Sequence, residues 1–313
     1  MTLYAVTGDG FVRISERRAE PALEGSGAQC IARDGDTLYV GARGTGVWKS
    51  ADAGSSWRRL EFREADVFSV AVSPADGAVY AGCEPSMLFR SRDGGESWEE
   101  LATLREIPSA PTWSFPPRPW TSHVRWIAPS PHEADLLLVG IELGGVMRSE
   151  DGGETWLDHR PGAQADCHAL AWHPTERGRA YEAAGGGAAW SFDGGMTWKP
   201  ADSGRDRHYT WALAVDPDDP DRWFVSASTG PFAAHGARPA EAFVYRWEGE
   251  GPWQPLGGGL EQPLDTMPYG FAQRDGTLVL ALADGVLFES SDHGDSWHRL
   301  ALENSPSRIL ALA

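Results

Sequence analysis

Short apolar runs separated by polar turns recur along the whole chain. Within many of them apolar and polar side chains alternate with a period of two, the signature of a half-buried β-strand. One stretch shows the unit. Val67-Phe68-Ser69-Val70-Ala71-Val72 leads into a Ser73-Pro74 turn, Ala78-Val79-Tyr80-Ala81-Gly82 follows, and Met87-Leu88-Phe89-Arg90-Ser91 comes third. No apolar run approaches the roughly 18 residues of a transmembrane helix. The pattern predicts an all-β chain of many short strands.

A polar motif follows the third strand of each unit. It reads Ser50 to Trp57 (SADAGSSW), Ser91 to Trp98 (SRDGGESW), Ser149 to Trp156 (SEDGGETW), Ser191 to Trp198 (SFDGGMTW) and Ser291 to Trp297 (SDHGDSW). The shared form is Ser-x-Asp-x-Gly-x-Ser/Thr-Trp, and it suits a hairpin turn. The carboxylates of Asp52, Asp93, Asp151, Asp193 and Asp292 accept backbone N–H groups, Gly supplies positive φ, and Trp packs beneath. Successive box tryptophans lie 41, 58 and 42 residues apart, then 55 to Trp253 of a degenerate copy (Tyr245 to Trp253), then 44. A period near 40–45 with four strands per unit predicts a β-propeller.

Six units fall at about 28–60, 66–101, 122–159, 165–201, 208–256 and 265–300. The ends supply a seventh, 305–313 joined to 2–18, with a first strand from the C-terminus and the second and third from Leu3 to Ile14. Such closure removes sheet edges. The expected architecture is a single seven-bladed propeller domain over 1–313. The two long spacings are insertions, Ala102 to Ser122 between blades and Ser228 to Ala242 between a second and a third strand. In an up-and-down blade both belong to the face opposite the boxes, which is therefore the expected functional face.

The repeated motif resembles the Asp-box, or BNR repeat, of sialidases, sortilin-type receptors and photosystem assembly-factor propellers. In those families the box is structural, so the resemblance implies fold rather than chemistry. It implies sialidase activity least. Sialidases of that type use six blades, an arginine triad, a Tyr–Glu pair and an early Phe/Tyr-Arg-Ile-Pro motif. Here Val12-Arg13-Ile14-Ser15 departs from that motif at both ends.

Charge narrows the partners. A net charge of −18 disfavours nucleic acid and anionic membranes. Three cysteines make no disulfide framework, and the opening residues read as a strand rather than an export signal, so a cytoplasmic location is expected.

Candidate chemistry comes from the inner strands. Six residues before the turn prolines Pro74, Pro131, Pro174 and Pro217 stand Phe68, Arg125, His168 and Trp211; eight before stand Asp66, His123, Asp166 and Tyr209. Val70, Ile127, Leu170 and Leu213, further down, are apolar, so this row turns polar towards the channel mouth. Met267 and Tyr269 hold the corresponding places in the sixth unit, and Arg308 is a candidate in the seventh. Glu84 and Glu142 precede their box Asp by nine residues, His208 and His235 lie near the same face, and Glu182 replaces the glycine of Gly41, Gly82 and Gly140.

Three readings of this cluster compete. The first is a metal-assisted hydrolase for a small ester, phosphoester or lactone. Zn²⁺, Mn²⁺ or Fe²⁺ would sit on His123 and His168 with Glu142, Asp166, Glu182, His208 or His235, and Arg125 would steady developing negative charge. Tyr209, Trp211 and Tyr269 would line its pocket beneath a lid carrying Trp113, Phe115, Trp120 and His235. The second is metal-free acid–base chemistry on a sugar, with Asp66 and Asp166 as the carboxylate pair and Trp113, Trp120 and Trp211 stacking on the substrate. The third is a non-catalytic platform for a protein partner.

Overall fold

The apolar runs pair in chain order into seven antiparallel sheets, each with its first strand at the centre and its last at the rim. The computed structural model describes residues 2–115, 121–236, 239–274 and 276–313. Six sheets have four strands. In the third blade the outermost strand is reduced to the bridge between Arg148 and Leu157. The result is a seven-bladed β-propeller.

The closing blade takes its innermost strand, Ala311–Leu312, from the C-terminus and three strands from the N-terminus, Leu3–Val6, Phe11–Ser15 and Arg18–Ala22. The expected boundary at residue 18 is therefore too short, because Arg18–Ala22 forms the fourth strand. Backbone bonds Leu310 N to Val6 O, Tyr4 N to Ala313 O and Ala313 N to Tyr4 O, each 2.8 Å, fasten the ring.

All five boxes make one pattern. In the fourth, Ser191 Oγ donates to Asp193 Oδ1 (2.8 Å) and accepts from Gly195 N (2.9 Å). Thr197 donates from N and Oγ1 to the two Asp193 oxygens, and Trp198 Nε1 donates to Gly195 O. In the fifth box the serine in this role is Ser290, bonded to Asp292 Oδ1 and Gly294 N, so the motif begins one residue before the expected Ser291.

Blades approach closely where a second strand carries glycine, as at Gly41, Gly82 and Gly140. A Cβ on Gly82 would lie 2.5 Å from Val124 Cγ1 of the next blade. Large aromatics fill the remaining space, among them the buried Trp223, Trp253, Tyr80, Tyr181, Phe89 and Phe224. The first insertion forms two short 3-10 turns, Ala102–Glu106 and Ala110–Thr112, and the second carries the short helix Pro231–His235.

Candidate channel-mouth site

Each of the first six inner strands carries one extra residue opposite its neighbour, a β-bulge near its start. The bulges fall at Gln29, Phe68, Arg125, His168, Trp211–Ala212 and Tyr269, and the residues there line a cavity of about 240 Å³ in the channel. Bulges re-aim side chains. Here the same device, repeated around the ring, presents a different group from each blade.

The centre of the site is Glu142, Asp166 and His168, from which one carboxylate oxygen each and an imidazole nitrogen lie within 4.8 Å of one another. His168 Nδ1 lies 2.6 Å from the Thr210 carbonyl oxygen. That contact requires the proton on Nδ1 and leaves Nε2, buried and without a hydrogen-bond partner, 3.4 Å from Asp166 Oδ2. Thr210 is itself fixed, its hydroxyl bonded to Ala184 N, Ala184 O and Gly187 O. An imidazole oriented through its far nitrogen by a backbone carbonyl is how proteins prepare a histidine for a metal ion.

Glu142 is held as the anion. Burial pushes its carboxyl up, but the hydrogen bond from His123 Nε2 (2.6 Å) and the nearby Arg125 guanidinium outweigh this and hold it at about 2. Burial also lowers the His123 pKa, against the pull of Glu142. His123 is thus a neutral donor, stacked on Phe68 with ring centroids 3.8 Å apart and met edge-on by Phe115. Arg125 lies over the Trp211 ring, 4.5 Å from its centroid.

Several sequence candidates stand elsewhere. Glu182 is fully buried beside the site, outside the three-residue group. Burial pushes its carboxyl up to about 8, so it is protonated at neutral pH, with Oε2 accepting from Gln164 N and Oε1 unpartnered. Asp66 is half-exposed and accepts from Arg43 Nε at 3.0 Å, outside the Glu142–Asp166–His168 group, so it forms no carboxylate pair there. Glu84 is held by Arg43 and Thr121. His208 is exposed and takes no part in the group. His235 has both ring nitrogens engaged, with Tyr209 Oη (2.8 Å) and Tyr269 Oη (2.6 Å), so it bridges two tyrosines across the mouth instead of offering a ligand atom. Trp113 is buried against Leu104, Ile107 and Ile141 and donates to Ser109, which makes it the anchor of the insertion rather than a stacking surface. Trp120 falls outside the described residues.

Sequence reasoning missed Thr210 and Gly185. A Cβ on Gly185 would lie 2.0 Å from Asp166 Oδ2, so only glycine leaves room for that carboxylate. The run Gly185-Gly186-Gly187 was the available signal. Cys30 also lines the cavity, but burial pushes its thiol up to about 12, which rules it out as a thiolate nucleophile at neutral pH.

Residues 189–200 match the BNR/Asp-box repeat family. A search of curated proteins returns no significant match. Among solved structures, the chain is similar to the GH74 enzyme of Niastella koreensis (15% identity, TM-score 0.68, covering 96% of this chain and 47% of that one). It is similar to an ancestral GH74 enzyme at 16% identity and TM-score 0.64, covering 95% of this chain and 40% of the enzyme. It thus spans less than half the length of either. YCF48 bound to a D1 peptide is similar along nearly its full length (17% identity, TM-score 0.62, 98% of this chain and 88% of that one). At these identities the likeness is one of fold. Among the described residues no helix is long and apolar enough to cross a membrane. With five box turns of one pattern and seven sheets closed into a ring, the chain is a seven-bladed β-propeller with turns of the BNR/Asp-box type.

Proposed function

We propose that the channel mouth is a metal-assisted hydrolytic site for a small ester, phosphoester or lactone. The observation that carries this reading is His168 Nε2, oriented through Thr210, buried without a hydrogen-bond partner and converging with the Glu142 and Asp166 carboxylates. One imidazole and two carboxylates suit Zn²⁺, Mn²⁺ or Fe²⁺. A bound ion would supply Lewis acidity and an activated water.

The chain's own groups have separate tasks. His123 keeps Glu142 ionised and oriented by donating from Nε2. Arg125, held on Trp211, supplies positive charge for an oxygen that becomes anionic. The Tyr209–His235–Tyr269 bridge closes the mouth over the substrate and limits water. The net reaction adds water across the scissile bond, its oxygen ending on the acyl or phosphoryl centre and one proton leaving with the alcohol. Three cysteines without disulfide partners favour the cytoplasm as the working compartment.

Metal content, measured by mass spectrometry on untagged protein prepared without chelator, tests the reading. About one equivalent in the parent and loss in a folded His168→Ala/Asp166→Asn variant are expected, and no retention after reconstitution overturns it. A second reading, a binding platform, draws on Phe232 of the mouth helix, a residue 91% exposed. Unchanged metal-free protein that captures a peptide through Phe232 would favour it.

A further inference from the structure

Below the ring of mouth residues the channel changes character. Two positions further down each inner strand stand Ile31, Val70, Ile127, Leu170, Leu213, Phe271 and Leu312, one from every blade, and six of them, all but Leu170, line the same cavity. Phe68, Trp211, Tyr269 and Leu310 add apolar surface above them. Two cavity residues also belong to the polar site. His168 contributes Nε2 to the carboxylate group, and Arg125 Nε stands 3.5 Å from Glu142 Oε2.

Such a cavity sorts ligands by chemistry. A polyol would bring hydroxyls past a ring whose side chains offer no hydrogen bond, and each unpaired hydroxyl is costly. Water there is poorly held for the same reason, so an apolar group that displaces it gains affinity. The volume of about 240 Å³ exceeds the roughly 150 Å³ that accommodates a benzene ring, which sets the scale at about six to ten carbons.

We propose, building on the hydrolytic reading, that the substrate is an amphipathic ester or lactone whose hydrocarbon chain or aryl group fills the channel. Its acyl carbon then lies beside His168 and Arg125, with the alcohol portion towards the Tyr209–His235–Tyr269 bridge. Hydrolysis consumes one water, breaks the acyl carbon–oxygen bond and forms a new one to the water oxygen; the alcohol leaves with one of the water's protons, the other passes to solvent, and the carboxylate's charge faces Arg125.

Two chain-length series test this. The first measures kcat/KM of the Mn²⁺- or Zn²⁺-loaded protein on p-nitrophenyl esters from acetate to decanoate. The second measures binding of the straight-chain carboxylates from acetate to decanoate by calorimetry. Both are expected to rise about fourfold per added methylene, the transfer preference of one buried CH₂, and to level off once the cavity is full. Leu213→Phe is expected to bring the plateau forward by several carbons, and Phe271→Ala to delay it. Flat series in both measurements overturn the proposal. Cleavage of the esters with no chain-length dependence also overturns it while leaving the hydrolytic reading intact. A chain-length ladder in carboxylate binding with no ester cleaved supports the apolar ligand class and removes hydrolysis.

Discussion

At the box face, five turns repeat one set of hydrogen bonds, whereas at the mouth seven blades place seven different side chains along the channel wall. Ser191, Asp193, Gly195, Thr197 and Trp198 have counterparts in four other blades, atom for atom. Gln29, Phe68, Arg125, His168, Trp211, Tyr269 and Leu310 share a height in the channel and little else. The first face spends its sequence on identical local closure. The second uses the rigidity this provides to hold unlike groups together, including a carboxylate kept ionised against the upward push of its burial.

This contrast can be broken at its largest effect by Trp198→Ala. Trp198 is 4% exposed, and truncation of a buried Trp costs about 3–5 kcal/mol. A loss of unfolding free energy of that size in urea titration, with site chemistry per folded molecule unchanged, is the expected outcome. Changed metal uptake in the folded fraction would show that the two faces are coupled.

His168→Ala is the mirror experiment at the mouth. Loss of an oriented ligand is expected to weaken metal affinity at least about 100-fold, equal to or beyond what loss of an orienting partner causes. Calorimetric titration with Zn²⁺ or Mn²⁺ measures it, and unchanged affinity would remove His168 from the site. Gly185→Ala sharpens the same point from the backbone. Its Cβ would overlap Asp166 Oδ2, so metal affinity is expected to fall about tenfold through displacement of Asp166, with a stability loss of about 1–3 kcal/mol.

The smallest effect is acid sensitivity of the box face. Hydrogen bonds from Ser56 hold the Asp52 carboxyl at about 2, and Ser296 does the same for Asp292. Both pKa values are depressed in the folded state, so their contribution is complete above the unfolded value near pH 4 and is lost as pH falls towards 2. Thermal melts between pH 5 and 2 are expected to fall less steeply in Asp52→Asn than in the parent. Parallel slopes would contradict this assignment.

The box turns were readable because their chemistry lies within eight consecutive residues. The row counted back from the turn prolines picks out Phe68, Arg125, His168 and Trp211, all of which line the channel, because alternation survives on both sides of each bulge. Counting along one strand could not reveal that His235 is engaged by Tyr209 and Tyr269, that Arg43 takes Asp66, or that Trp113 packs into the side of the ring. Those outcomes depend on side chains from different blades or from long insertions, where no periodicity operates.

By itself, then, the chain's repetition determined the blade, the box and the closure by both ends: blade and box rest on local hydrogen bonding, and the closure shows as a unit whose strands are divided between the two ends by a period set by strand length. Only the tertiary structure decided which polar groups meet. Glu142, Asp166 and His168 become neighbours through the rotation from one blade to the next and through bulges that aim the strand starts inward. The distance between residues from separate blades is a property of the closed ring, and no segment of the sequence carries it alone.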